Sequence, residues 1–270
     1  MKSSDTILSC THVRKHFGGV IAVDVDDLDI ERESITALIG PNGAGKTTFF
    51  DIVTGFLDPD SGQICFEGVD ITDKPAHSIA HGGLVRTFQL TRILNKMTVL
   101  ENMLLAAPNQ TGERVGNTFF RRSTIATQER SNADQALDLL DRFSLLPLKD
   151  EYGGRLSGGQ KKLLELARAL MSEPTMVLLD EPMAGVNPAL GEQLLQYVLE
   201  LRDEGMTFLF VEHDMDIVMR ISDRVVVMAT GEIIADGLPA EVQANPAVLA
   251  AYLGEHAEED IAEAEEGLDQ

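Results

Sequence analysis

Gly40-Pro-Asn-Gly-Ala-Gly-Lys-Thr-Thr48 is the stretch that decides the fold, because it matches the pattern Gly, four residues, Gly-Lys and then Ser or Thr. The apolar run Ile35–Ile39 before it predicts a strand, and Thr47–Val53 predicts the start of a helix. A loop between a strand and a helix N-terminus presents backbone N–H groups and the positive end of the helix dipole to an anion. The stretch therefore predicts a site for a nucleoside triphosphate, with a chance glycine-rich turn as the alternative.

The residues of this loop are the predicted nucleotide-binding residues: Gly40, Pro41, Asn42, Gly43, Ala44, Gly45, Lys46, Thr47 and Thr48. Glycines let the backbone curl around a phosphate because no Cβ stands in the way. Lys46, which we expect to be exposed in the empty loop, would bring a positive charge to the β- and γ-phosphates. The Thr47 hydroxyl would bind Mg²⁺.

A second motif, Leu156-Ser-Gly-Gly-Gln160, lies directly before a segment with apolar residues at helical spacing, residues 161–170. Ser157 is therefore expected to cap the N-terminus of a helix. The two glycines, Gly158 and Gly159, would allow a ligand to approach that helix end closely.

Polar residues also follow two apolar runs that predict buried parallel strands. Asp180 and Glu181 follow the run 176–179, and His213 comes shortly after the run 208–211. Doubly wound folds place their chemistry at the carboxyl ends of the strands. We therefore expect these side chains to converge with the loop on one phosphate pocket.

Together these motifs resemble the nucleotide-binding subunits of ABC transporters, over about residues 8–255. The stretch Leu156–Gln160 carries the resemblance most specifically, because other phosphate-loop families lack this signature motif. Four further segments resemble the importers of branched-chain and other hydrophobic amino acids: residues 86–89, 97–102, 184–188 and 250–254. Asn187 stands where many ABC ATPases have Asp.

The resemblance implies an α/β fold of the P-loop NTPase (ABC) type, with a mainly parallel sheet, an antiparallel β subdomain and a helical subdomain. Residues 1–255 would form one ABC ATPase domain. Its nucleotide-binding core and antiparallel β layer would comprise residues 1–89 and 161–255, and its helical subdomain residues 90–160, ending in the signature motif. The acidic residues 256–270 predict a disordered tail, and the polar segment 109–130 resembles a subfamily insertion.

The resemblance also assigns roles to individual residues. Glu181 would be the general base for the attacking water, while His213 would contact the γ-phosphate and orient that water. Gln89 would sense the γ-phosphate and the metal ion. The Mg²⁺ ligands would be Thr47, Gln89 and Asp180. Phe17 would stack on adenine, and four signature residues would contact the nucleotide of a second subunit: Ser157, Gly158, Gly159 and Gln160.

Several of these residues have a structural alternative. Phe17 could be an aromatic residue of a strand core, and Gln89 an ordinary loop amide. Asp180 could cap a helix or form an ion pair. His213 could be a core histidine with satisfied hydrogen bonds.

The charge and the hydropathy of the chain narrow its partners. A net charge of −22 argues against binding to nucleic acid, which normally needs a basic surface. The longest apolar runs are too short to span a bilayer, and the first residues lack the apolar region of a signal peptide. We therefore expect a protein at the cytoplasmic face of the inner (plasma) membrane, held there by partner subunits.

The expected function is ATP hydrolysis, with ATP and Mg²⁺ as cofactors, that energises uptake of branched-chain or related hydrophobic amino acids. The implied partners are a second, non-identical ABC ATPase in a head-to-tail dimer, two integral-membrane permeases and an extracytoplasmic solute-binding protein. The alternatives are import of urea, short amides or aromatic acids, a lipopolysaccharide-type exporter, a soluble ABC ATPase outside transport, and a nucleotide-binding scaffold without hydrolysis.

Overall fold

The computed structural model describes residues 5–87, 93–108 and 122–252, and its strands form two sheets. The strands of the described residues are β1 Thr6–Phe17, β2 Val20–Glu31, β3 Ile35–Ile39, β4 Ser61–Phe66, β5 Val69–Asp70, β6 Leu84–Arg86, β7 Met176–Asp180, β8 Thr207–Val211, β9 Arg224–Ala229 and β10 Glu232–Gly237.

The larger sheet has six strands in the order β10-β9-β3-β8-β7-β6. All neighbours in it are parallel except β10, which runs antiparallel to β9. Strands that are far apart in the sequence therefore lie side by side. Leu38 of β3 pairs with Val211 of β8, and Val211 pairs with Asp180 of β7.

The smaller sheet is antiparallel, with the strand order β2-β1-β4-β5. It packs over the helix that follows β3, and its apolar residues form one hydrophobic cluster with that helix and one face of the larger sheet. This sheet is the antiparallel β layer expected from the sequence.

The α-helices of the described residues are α1 Lys46–Val53, α2 Ala76–His81, α3 Val99–Leu105, α4 Arg122–Arg142, α5 Gly158–Leu170, α6 Pro188–Asp203, α7 Met215–Ile221 and α8 Pro239–Gln243, and two short 3-10 helices span Leu146–Leu148 and Gly153–Arg155. Helix α5 begins with a capping box, in which the Ser157 hydroxyl accepts the N–H of Gln160 and the Gln160 side chain accepts the N–H of Ser157. The expectation that Ser157 caps this helix is confirmed.

Strands β3, β7 and β8 of the larger sheet are buried on both faces, which explains why their sequences are almost continuous apolar runs. Ala37 and Ile39 of β3 lie in a cluster with α5 and α6, whereas Leu38 lies in the cluster with α1 and the smaller sheet. Successive side chains of a strand point to opposite faces. The sheet is therefore a central layer between helices on one side and the antiparallel sheet on the other.

The fold class expected from the sequence is confirmed by these two sheets and their helices. The bounds of the core and of the helical subdomain stay a prediction. Gln89, the tail 256–270 and residues 109–121 of the expected insertion lie outside the described residues. Among the helices that the structure describes, none is long and apolar enough to cross a membrane.

Candidate active site

Three strand ends meet at one edge of the larger sheet because β3, β8 and β7 are neighbours. The loop 40–45 follows β3, Glu181 follows β7, and His213 comes shortly after β8. A cleft at this edge is lined by residues 42–48, by Val20, Ile21 and Ala22 of β2, and by Glu181, Val211 and His213. The predicted convergence of the loop with Glu181 and His213 is confirmed, whereas Asp180 is not among the residues that line this cleft.

Gly45 makes the turn from the loop into α1. Its φ is 100°, in the left-handed region that favours glycine. A Cβ at this position would lie 2.1 Å from the carbonyl oxygen of Ala22, so β2 closes directly over the loop. Only glycine satisfies both the backbone angle and this close approach.

Lys46 is buried, so the expectation that it is exposed in the empty loop was wrong. Its side chain lies inside the loop, where Nζ donates hydrogen bonds to the carbonyl oxygens of Gly40 at 2.6 Å and Pro41 at 2.8 Å. A buried ammonium requires acceptors, and the loop supplies them from its own backbone. The positive charge is therefore held at the centre of the loop.

Glu181 and His213 contact each other in the cleft, where Nε2 of the imidazole lies 3.0 Å from Oε1 of the carboxylate. Glu181 has a φ of 47°, which is uncommon for a residue with a Cβ and frequent at functional sites. Its N–H donates to the carbonyl oxygen of Val211 at 3.0 Å, which ties the turn after β7 to the end of β8. The turn therefore brings the carboxylate into the cleft beside the imidazole.

Asp180 is buried and forms an ion pair with Arg86 of β6. Nη2 of Arg86 donates to Oδ2 of Asp180 at 2.7 Å, and Nη1 donates to Oδ1 of Asp51 in α1 at 2.5 Å. The side chains of Arg86 and Asp180 are each only 5% exposed. Of the alternatives for Asp180, ion pairing is observed.

The signature residues lie at the start of α5, and none of them lines the cleft of the described residues. Ser157 and Gly158 are exposed, whereas Gly159 is buried against α6. A Cβ on Gly159 would lie 2.5 Å from Cδ1 of Leu190, so packing within the chain already requires this glycine. The presence of glycine at position 159 is therefore explained without a ligand, and the approach of a ligand there stays a prediction.

Two part-buried sets of hydrogen bonds near Glu181 involve residues that sequence reasoning did not select. Glu212 accepts hydrogen bonds from the backbone N–H groups of Met183 and His213, and Lys162 of α5 donates to the carbonyl oxygen of Glu181 at 3.3 Å. Burial raises the pKa of the Glu212 carboxyl, and the two backbone N–H groups oppose that rise. The position of Glu212 directly after an apolar strand was the available signal.

Phe17 lies at the end of β1 and is 52% exposed, so it is not an aromatic residue of a strand core. The ammonium of Lys15 lies 5.8 Å from the centre of its ring. Stacking of Phe17 on adenine stays a prediction, as does the role of Gln89.

Comparison with known proteins identifies the family. The sequence model of the family described as ABC transporter matches residues 23–184. A probable branched-chain amino acid transport ATP-binding protein, LivG, from Archaeoglobus fulgidus is 44% identical over 248 residues, covering 92% of this chain and 95% of the relative. The chain belongs to the ABC transporter family. It is an ATPase of the kind that couples ATP hydrolysis to transport.

Further relatives and solved structures support the same family assignment for this ABC ATPase. The high-affinity branched-chain amino acid transport ATP-binding protein LivG of Escherichia coli K12 is 38% identical, covering 93% of this chain and 99% of the relative. A second family model, described as branched-chain amino acid ATP-binding cassette transporter, matches residues 232–258. A crystal structure of a nucleotide-free ATP-binding cassette from an ABC transporter superposes with a TM-score of 0.79 at 40% identity, covering 92% of this chain and 98% of that one. The ADP conformation of another such cassette gives 0.78 at 38% identity, covering 93% and 99%.

Proposed function

We propose that this ABC ATPase energises the import of branched-chain or related hydrophobic amino acids. The observation that carries the proposal is the match of residues 232–258 to the branched-chain amino acid cassette model, together with the relatives named LivG. This match lies outside the catalytic motifs, so it reports the subfamily rather than ATP hydrolysis in general. It favours the importer over a lipopolysaccharide-type exporter or an ATPase outside transport.

In the proposed reaction Glu181 accepts a proton from the water whose oxygen bonds to the γ-phosphorus, while the bond from that phosphorus to the bridging oxygen of ADP breaks. His213 is hydrogen-bonded to that carboxylate and lines the same cleft as the loop, so it would hold the carboxylate in place and contact the γ-phosphate. Lys46 and the backbone N–H groups at the start of α1 stabilise the negative charge that develops on the phosphate oxygens. The Phe17 ring and the loop residues hold the rest of the nucleotide.

The described residues fit a magnesium ion held partly by the substrate. Asp180 supplies a buried carboxylate at the end of β7, and Thr47 supplies a hydroxyl at the start of α1. Within the described ranges, no group of three or more His, Cys, Asp or Glu side chains forms a metal site. Mg²⁺ is usually held by one or two protein oxygens plus phosphates and waters, and two such oxygens therefore support the proposal. Gln89, the third proposed ligand, lies outside the described residues. The ion would neutralise charge on the β- and γ-phosphates.

The proposed active form is a head-to-tail dimer with a second, non-identical ABC ATPase. The signature motif does not line the cleft of its own chain, and its exposed Ser157 stands at a helix N-terminus that favours an anion. In the dimer, Ser157, Gly158, Gly159 and Gln160 would contact the nucleotide bound by the partner. Each nucleotide would then lie between two subunits.

The proposed complex also contains two integral-membrane permeases and an extracytoplasmic solute-binding protein. A groove between α2, the end of α3 and the end of α5 offers a place for a permease segment, because its lining combines the exposed Leu105 with the charged Arg168 and Glu173. The permeases would hold the ATPase at the cytoplasmic face of the inner membrane.

The deciding experiment is uptake of radiolabelled leucine, isoleucine, valine and urea in cells that lack the gene. Complementation by the wild-type chain should restore entry of the three branched-chain amino acids, whereas Glu181→Gln should not. Loss of the general base should slow ATP hydrolysis about 10²–10⁴-fold. If deletion leaves the entry of these amino acids unchanged while urea entry falls, the proposed substrate is wrong but the proposal that the chain energises an importer is retained. If no entry changes, the import proposal is wrong.

A further inference from the structure

Glu212 is a buried carboxylate that the proposed reaction leaves without a role. It directly follows β8 and is only 6% exposed. Its Oε1 accepts the N–H of Met183 at 2.8 Å, and its Oε2 accepts the N–H of His213 at 3.2 Å. Met183 lies in the turn that carries Glu181. One carboxylate therefore connects the two turns whose side chains meet in the cleft.

We infer that Glu212 is a positioning residue that fixes the contact between Glu181 and His213 by holding one backbone N–H group of each turn. It does not touch the nucleotide. The inference rests on the proposed roles of Glu181 and His213 in hydrolysis. It adds that their geometry depends on an acceptor with two oxygens at position 212.

The surroundings explain why two acceptor oxygens are needed. A small cavity beside Glu212 is lined, apart from this residue, by apolar side chains such as Leu179, Phe210 and Ile217. An N–H group that lost its partner there would have no polar side chain of that lining as a substitute, and a buried donor without an acceptor is costly. Glutamine has one acceptor oxygen, and its NH₂ group would face one of the two N–H donors. One of the two turns would then be released.

The matched control is Asp223, another carboxylate that accepts a backbone N–H group. Its Oδ2 accepts the N–H of Ile35 at 2.8 Å, at the start of β3 and therefore at the opposite edge of the sheet from the cleft. Asp223→Asn likewise changes a carboxylate to an amide, at the opposite edge of the sheet from Glu181 and His213. It also weakens the ion pair of Asp223 with Arg202, whose side chains are 46% and 24% exposed. A general effect of losing such a hydrogen bond would appear in both variants.

A first test uses histidine ring signals in NMR spectra of the nucleotide-free chain labelled on histidine. The His213 signal is assigned by its disappearance in His213→Ala. We expect it to shift or broaden in Glu212→Gln and to stay unchanged in Asp223→Asn. An unchanged His213 signal in folded Glu212→Gln would overturn the inference, as would an equal change in both variants.

A second test measures ATP affinity and turnover in the complex assembled with the partner subunits. We expect Glu212→Gln to lower turnover about 10- to 100-fold at unchanged ATP affinity, because only the geometry of the reacting groups is disturbed. In the His213→Ala background it should cause no further loss, since both changes act on one unit. Wild-type turnover of Glu212→Gln, or a full additional loss in that background, would overturn the inference.

A third variant, Glu212→Asp, keeps the charge but has a shorter side chain that cannot hold both N–H groups at the observed distances. It should also be slow, and it replaces Glu212→Gln if that variant does not fold. Wild-type turnover of Glu212→Asp would show that charge rather than bridging matters and would overturn the inference. The turnover of Glu181→Gln and of His213→Ala is measured in parallel. Wild-type turnover in both of these variants would contradict the proposed roles of Glu181 and His213. Slow turnover in both, together with wild-type turnover of Glu212→Gln, would reject only the role of Glu212.

Discussion

Replacing Arg86 by methionine should destabilise the protein far more than replacing another arginine that also pairs with carboxylates. Arg86 and Asp180 are each 5% exposed, so the ion pair is shielded from water. Removing one partner of a buried pair leaves an uncompensated charge and costs about 3–5 kcal/mol. The matched control is Arg142, which donates two hydrogen bonds to Glu204 but is 29% exposed beside a partner that is 59% exposed. Breaking such a surface pair costs about 0.2–1 kcal/mol.

These free energies translate into a difference in melting temperature that is easy to measure. For a domain of this size, Tm moves by roughly 2–4 °C for each kcal/mol. Thermal melts of the nucleotide-free chain should therefore show a decrease of about 6–20 °C for Arg86→Met and at most about 4 °C for Arg142→Met. Adding Asp180→Asn to Arg86→Met should recover part of the loss, with a coupling free energy of about 1–3 kcal/mol, because the stranded charge is removed.

Two results would refute this reasoning. One is a melting temperature of Arg86→Met as close to wild type as that of Arg142→Met. The other is strict additivity of Arg86→Met and Asp180→Asn. Either outcome would mean that Asp180 does not depend on the Arg86 guanidinium for its charge compensation in the folded protein.

Two further changes test the loop and the signature motif. Lys46→Met should abolish the rise in melting temperature that ATP causes. It should also lower the free energy of unfolding of the nucleotide-free protein by about 1–3 kcal/mol, because the buried ammonium donates hydrogen bonds to the Gly40 and Pro41 carbonyls. Thermal melts with and without ATP test both effects, and an undiminished effect of ATP would contradict the role of Lys46. Ser157→Arg should stop hydrolysis at the partner's site while the site of the variant chain still binds ATP. The control Ser157→Ala should lower the free energy of unfolding by only about 1 kcal/mol, because it removes the helix cap. Full turnover of the arginine variant in the assembled dimer would rule out the head-to-tail arrangement.

The sequence predicted those parts of the site that are formed by residues close together in the chain. The loop 40–48 needs glycines and a lysine at fixed spacing, and Ser157 with Gln160 forms a capping box within one helical turn. The meeting of Glu181 with His213 also followed, because parallel strands place their carboxyl ends at one edge. The prediction that Lys46 is exposed was wrong, because the spacing of the motif does not determine the conformation of a flexible side chain in the nucleotide-free loop.

The sequence by itself determined the phosphate loop, the strands that carry the polar residues, the order of motifs along the chain and, through them, the family. Only the tertiary structure decided that Arg86 pairs with Asp180, that Gly159 packs on Leu190, and that Glu212 holds the turns of Met183 and His213 together. The first two contacts join different strands or different helices, and Glu212 joins the turn after β7 to the segment after β8. Their formation depends on strand order and on which groups are removed from water, and neither is encoded in the spacing of residues along a single segment.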